Sequence, residues 1–181
     1  MKSNQDRNGN AKVLRVAVAS VFALVGATSH AAGTAQQNLA VTANVPTNCL
    51  IATTALAFGA YDPIQANAGS SHLDNNTGKV TVTCTKGSSP VITLGQGLTP
   101  DGSSSAAAPL RRLAKGGDYL AYGLYKDAAR TQVWGDTAGT GYAVANPTGA
   151  AQEVTVYGRI DGGQNVPFGD YADTVVATVT F

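Results

Sequence analysis

Cys49 and Cys84 are the residues of this 181-residue chain best placed by type to do chemistry. Two thiols could serve as a nucleophile pair, ligate a metal or close a disulfide. A metal site would want more Cys or His nearby, and His72 alone is available beyond the first 31 residues. In an exported chain an even count of two reads as one disulfide, worth about 4 kcal/mol for a loop of this length in the chain-entropy view. The remaining candidates for catalysis are poor. His72 sits in a polar, turn-like segment and reads as a surface residue. No Gly-x-Ser-x-Gly elbow occurs. Asp170 and Asp173 could pass for paired carboxylates, but just before a strand they read as turn hydrogen-bond acceptors. Asp74-Asn75-Asn76-Thr77-Gly78 lacks the later Glu and the full ligand spacing of a calcium loop, and Gly95-Gln96-Gly97 has no following helix to cradle a phosphate. The reading is a non-enzyme with no metal and no cofactor.

Export is read from residues 1–31. Lys2, Arg7, Lys12 and Arg15 precede an apolar run from Val16 to Val25, and Ser29-His30-Ala31 fits a small-x-small cleavage site. The run is too short to span a bilayer comfortably. The whole chain holds 12 Lys and Arg against 11 Asp and Glu. Cleavage near Ala31 removes four of the bases and one acid, leaving a net charge of −2. That excludes a nucleic-acid binder, which needs a basic patch. The one basic pair, Arg111-Arg112, reads as a solvated turn.

The elements that must position these residues are strands. Val80, Val82 and Cys84 share a face opposite Lys79, Thr81 and Thr83, a period of two. Ile92 and Leu94 continue the pattern. Leu120, Tyr122 and Leu124 alternate with Tyr119, Ala121 and Gly123, and Val154, Val156 and Ile160 with Glu153, Thr155 and Arg159. Turn clusters punctuate the runs at Asp62-Pro63, Gly69 to Ser71, Lys86 to Pro90, Thr99 to Ser105, Gly116-Gly117, Thr137 to Gly141 and Asp161 to Pro167. Short, regularly spaced strands in an exported chain point to an all-β sandwich of the immunoglobulin-like kind. Tyr119, Tyr122, Tyr125, Tyr142, Tyr157 and Trp134 could stack on sugars, but alternation already assigns some of them to packing.

The two ends are unusual. Leu39, Val41, Ala43 and Val45 point one way from an extended segment, with Pro46 setting it apart from Cys49. The segment could be an ordinary first strand or one that reaches out of the domain. At the other end, Tyr171, Val175, Ala177, Val179 and Phe181 line one face of a strand that stops with the chain, opposite Thr174, Thr178 and Thr180. Such an apolar edge carries no Lys or Pro to protect it.

Taken in order, Cys49, the stretch Leu56 to Asp62, Val80 to Cys84, Leu120 to Asp127, Trp134-Gly135 and Gly169 to Thr174 leading to Phe181 resemble the spore coat protein U family, which includes subunits of archaic chaperone–usher pili. The resemblance implies an incomplete immunoglobulin-like sandwich that lacks its final strand. It divides the chain into a signal peptide (1–31), an N-terminal extension (32–46) and a pilin-like domain (47–181). It implies that Leu39, Val41, Ala43 and Val45 form a donor strand. Tyr171, Val175, Ala177, Val179 and Phe181 would belong to the edge of the acceptor groove. The implied partners are a periplasmic chaperone, an outer-membrane usher and neighbouring subunits, in a homo-polymer or mixed polymer at the cell surface that supports adhesion or biofilm formation. The alternatives are a coat protein of a spore or cyst and a carbohydrate-binding surface module.

Overall fold

The computed structural model describes residues 32–181, so the segment 1–31, expected to be an export leader, lies outside the described residues. The chain falls into two units, one ending at Thr42 and the other running Ala43–Phe181. The second is all β. Its strands are β1 (Cys49–Thr54), β2 (Leu73–Asn75), β3 (Lys79–Cys84), β4 (Val91–Leu94), β5 (Arg111–Lys115), β6 (Asp118–Tyr125), β7 (Tyr142–Ala143), β8 (Ala151–Thr155), β9 (Tyr157–Ile160) and β10 (Ala177–Thr180). They form three antiparallel sheets, ordered β1-β3-β8, β10-β4-β7 and β2-β9-β6-β5.

The alternation expected in β3, in β6 and along 151–160 is the alternation observed, whereas in β4 Thr93 is buried together with Ile92 and Leu94. In β3, Val80, Val82 and Cys84 are buried and the residues between them are not. Leu120 and Leu124 of β6 point inward with half-buried Tyr122 between them. The run 151–160, which the sequence presents as continuous, serves two sheets. β8 pairs with β3, and β9 pairs with β6 and β2. The switch falls at buried Val156, whose N–H leaves the ladder and donates to Gly78 O at 2.9 Å. Between β5 and β6 a two-residue turn reverses the chain, with Gly116 at φ 60°, where an L side chain would be strained.

Val80, Val82, Ile92, Leu94, Leu124, Val144, Val154 and Val156 form the core around Trp134. Trp134 is fully buried and satisfies its indole by donating Nε1–H to Ile92 O at 2.9 Å. Tyr142 packs on it with ring centroids 5.5 Å apart. The disulfide joins Cys49 to Cys84 where β1 and β3 pair residue against residue, with Cα atoms 4.1 Å apart. Replacing both cysteines by Ala is expected to cost roughly 2–4 kcal/mol in guanidinium unfolding, because the bridge closes a 35-residue separation in the unfolded chain. An unchanged midpoint would show that the ladder alone holds β1.

The Arg111-Arg112 pair is not a solvated turn. Both residues lie in β5, and Arg111 is only 1% exposed. Its Nε donates to Gly95 O at 2.8 Å, and its Nη2 to Leu94 O at 2.7 Å and Trp134 O at 2.8 Å. Burial pushes its pKa down to about 10, so the guanidinium stays charged at neutral pH. It ties β5 to the end of β4, which belongs to another sheet. Arg112 lies over the Tyr119 ring at 4.1 Å and donates to Thr99 O and Pro100 O, pinning that loop.

Candidate functional site

The geometry that stands out is an edge, not a constellation of reactive groups. β1 and β10 each end a sheet, paired on one side only. Between them opens a cavity of about 280 Å³. Thr53, Thr54 and Leu56 wall it on one side and Val175 and Ala177 on the other. The core residues Val80, Leu94, Leu124 and Val156 form its floor. Ile51 makes the same point from the strand: it sits opposite buried Val82 in the ladder, so it shares the inner face, yet it is exposed. Along the C-terminal segment Val175, Ala177 and Val179 pack on the core but reach only half burial, alternating with exposed neighbours. The inner face is thus left partly open between the two sheet edges.

The sequence missed β1, because the six residues Cys49–Thr54 make only a short run between Pro46 and Ala55; the signal was the alternation of Cys49, Ile51 and Thr53. It also drew the last strand too long. The paired part is Ala177–Thr180, against β4, and Phe181 lies beyond it. Tyr171 is placed elsewhere: its neighbour Ala172 bridges Ala114 of β5, and its hydroxyl donates to Pro167 O at 2.8 Å. The C-terminal segment therefore touches two sheets before it ends.

Leu39 and Val41 are 87% and 85% exposed and Val45 is 78% exposed. Residues 39–45 belong to none of the sheets. Immediately after them the chain is held firmly. Asn48 N–H donates to Thr85 Oγ1 at 3.0 Å, Thr85 N–H donates to Asn48 O at 2.9 Å, and Thr85 Oγ1 also donates within reach of Pro46 O at 3.4 Å.

The groups weighed for catalysis have structural employment. Both cysteines are in the disulfide. His72 Nδ1 lies 3.0 Å from Asp161 Oδ1 at the surface. Asp74 accepts from Arg159 Nε and Nη2 at 2.7 and 2.8 Å, and that pairing holds its carboxyl below the ordinary range. Asp173 does more than cap a turn. Oδ1 accepts from Leu98 N–H and Thr174 N–H at 2.8 and 2.7 Å, and Oδ2 accepts from the Tyr122 hydroxyl at 2.6 Å. Burial, then this hydrogen bond, push the Tyr122 phenol well up. The aromatic residues proposed for sugar stacking are partly spoken for: Trp134 is buried, Tyr142 packs on it, and Tyr119 lies beneath Arg112.

A second, wider groove of about 970 Å³ continues from the first and shares Leu56, Phe58, Leu113 and Asp173 with it. It runs between the segments 56–64 and 165–173. Phe58 meets Tyr122 edge-on at 5.9 Å and rests on Gly158 of β9, where a Cβ would stand 2.8 Å from its ring. Close approach there requires glycine.

Fold and edge together define an all-β, disulfide-bonded protein whose two free strand edges flank an open apolar groove. The spore coat protein U domain matches residues 35–178, and the chain belongs to that family. It is 48% identical over 177 residues to Protein U of Myxococcus xanthus, covering 93% of this chain and 98% of that protein. Among solved structures it is similar to a chain of the CsuC–CsuE chaperone–tip adhesion subunit pre-assembly complex from the archaic chaperone–usher Csu pili of Acinetobacter baumannii. The TM-score is 0.52 at 19% identity, over 76% of this chain and 40% of that one, so the likeness is one of fold.

Proposed function

We propose that the body is an immunoglobulin-like sandwich one strand short, and that the chain is the subunit of a surface pilus built by donor-strand complementation. The cavity between the two unpaired edges, floored by core residues, carries this reading. In it, Leu39, Val41, Ala43 and Val45 of one copy fill the groove of the next, beside the edge formed by Val175, Ala177 and Val179. Strand addition supplies a ladder of main-chain hydrogen bonds for affinity and alternate side-chain pockets for specificity. A periplasmic chaperone would hold the groove until an outer-membrane usher exchanges it for the incoming extension. Export through the periplasm, with cleavage near Ala31, belongs to the same proposal, as does a role in adhesion or biofilm formation. The fold likeness to a chaperone–usher pilus complex supports it.

Removal of residues 32–45 should leave protein that binds the chaperone but forms no polymers in electron micrographs or by size-exclusion chromatography. Val41→Asp should act in the same direction, because it drives a charge into an apolar groove. Polymers of normal length from the truncated chain would sink the reading.

A second reading, a structural protein of a spore or cyst coat, is favoured by the family's description as a spore coat protein U domain. Immunogold labelling separates the two: label along fibres supports the pilus, and label confined to a spore or cyst wall supports the coat.

A further inference from the structure

The wider groove has no occupant in the donor-strand scheme, and its rim is conspicuously apolar. Phe168 is 95% exposed, and Ile64 across from it is also exposed. Lys115 holds the Phe168 loop in place, donating to Phe168 O with its Nζ 5.1 Å from the Phe168 ring centroid. An aromatic ring left in water on a fixed loop, beside a groove floored by Leu113, Leu120 and Ile160, marks a surface made to be covered.

We infer that this groove is the seat for the folded body of the adjacent copy, a contact distinct from the donor strand itself; the inference rests on the donor-strand reading. Three observations select a second copy as the occupant. The first is direction. A strand added beside β10 extends an antiparallel sheet and is favoured in the opposite sense to β10. Its C-terminal end, Val45, then arrives at the start of the C-terminal segment, near Asp173 and Val175, where the first cavity passes into the wider groove.

The second is reach. Only Pro46, Thr47 and Asn48 separate Val45 from Cys49, the first residue of β1 in the donating copy. Four residue steps span at most about 14 Å even when fully extended. Those residues are not slack either, because Thr85 binds Pro46 and Asn48 to their own body. The donating body is therefore forced against whatever lies beyond the start of β10.

The third is charge and polarity. The corner from which the extension leaves carries exposed Leu50 and exposed Lys86, next to Thr85, while the seat carries exposed Asp170 beside Phe168. Leu50 on one copy faces an apolar rim on the other, and Lys86 faces Asp170, whose loop already carries its own Lys115.

Phe168→Ser tests the seat in two backgrounds. In polymers of the mature chain it should speed subunit release in urea about ten-fold. In a chain whose groove is filled by residues 35–46 appended after Phe181, where no neighbour is needed, it should leave the melting temperature unchanged. Release at the unmodified rate would overturn the inference. So would an equal loss of stability in the filled monomer, because Phe168 would then shape the acceptor groove rather than a docking face. Failure of the underlying donor-strand reading would show separately, as a filled chain no more stable than the plain one before Phe168 is touched.

Discussion

A chain with residues 35–46 joined after Phe181 through a short flexible linker should run as a monomer and melt at least about 10 °C above the plain mature protein. Leu39, Val41 and Val45 are almost fully exposed in the single chain, and burying three such aliphatic side chains stabilises by roughly 5–9 kcal/mol. The groove gains as well, since Val175, Ala177, Val179 and Leu56 pass from half burial to full cover. In a protein of this size each kcal/mol at the midpoint moves the melting temperature by about 2–4 °C, so even half of that gross gain is easily measured. Differential scanning calorimetry and light scattering read the two outcomes together. A melting temperature equal to that of the plain chain would mean that the body is already complete, and the fibre proposal would fall with it. Replacing Leu39 and Val41 by Ser in the appended copy should erase most of the gain, which ties it to the inward face and not to added length.

The second large effect is expected at Arg111. Arg111→Ala should cost about 3–5 kcal/mol, since it removes the donor to two buried main-chain carbonyls, Leu94 O and Trp134 O, and to the part-buried Gly95 O. Two further variants separate hydrogen bonding from packing. Met at position 111 restores volume but donates nothing, so it should lose nearly as much as Ala. Lys restores one charged donor group but not the planar fork, so it should recover part of the loss. Urea unfolding of the three variants decides the matter. A Met variant as stable as the native chain would show that the guanidinium's bonds contribute little. Because Arg111 reaches the end of β4, the partner of β10, the Ala and Met variants should also loosen the acceptor edge and slow polymerisation.

Much of this protein was legible in its residues. Alternation at Val80 to Cys84, Leu120 to Leu124 and Val154 to Ile160 is local information, fixed by the two-residue repeat of a strand, and it marked the core-facing residues correctly. Two cysteines in a chain that reads as exported announced their bridge for the same kind of reason, because an even count in that setting suffices. Gly116-Gly117 announced the β5–β6 reversal.

Which sheet each strand joins was settled in three dimensions. The run 151–160 reads as one strand, yet it changes sheets at Val156 because Gly78 offers the main-chain acceptor there, a partner nearly eighty residues away. Arg111 could not be told from a surface arginine, since its three acceptors come from β4 and from Trp134, distant in the chain. The openness of the groove was likewise a property of assembly. No residue type says that β1 and β10 lack a neighbour; only the meeting of two sheet edges over the core shows it. The sequence by itself therefore determined the strands around Val80, Val91, Leu120 and Val154, their inward faces and the bridge, which depend on near neighbours. Sheet membership, the buried guanidinium and the shape of the vacancy were decided by the tertiary structure, because long-range contacts have no local signature.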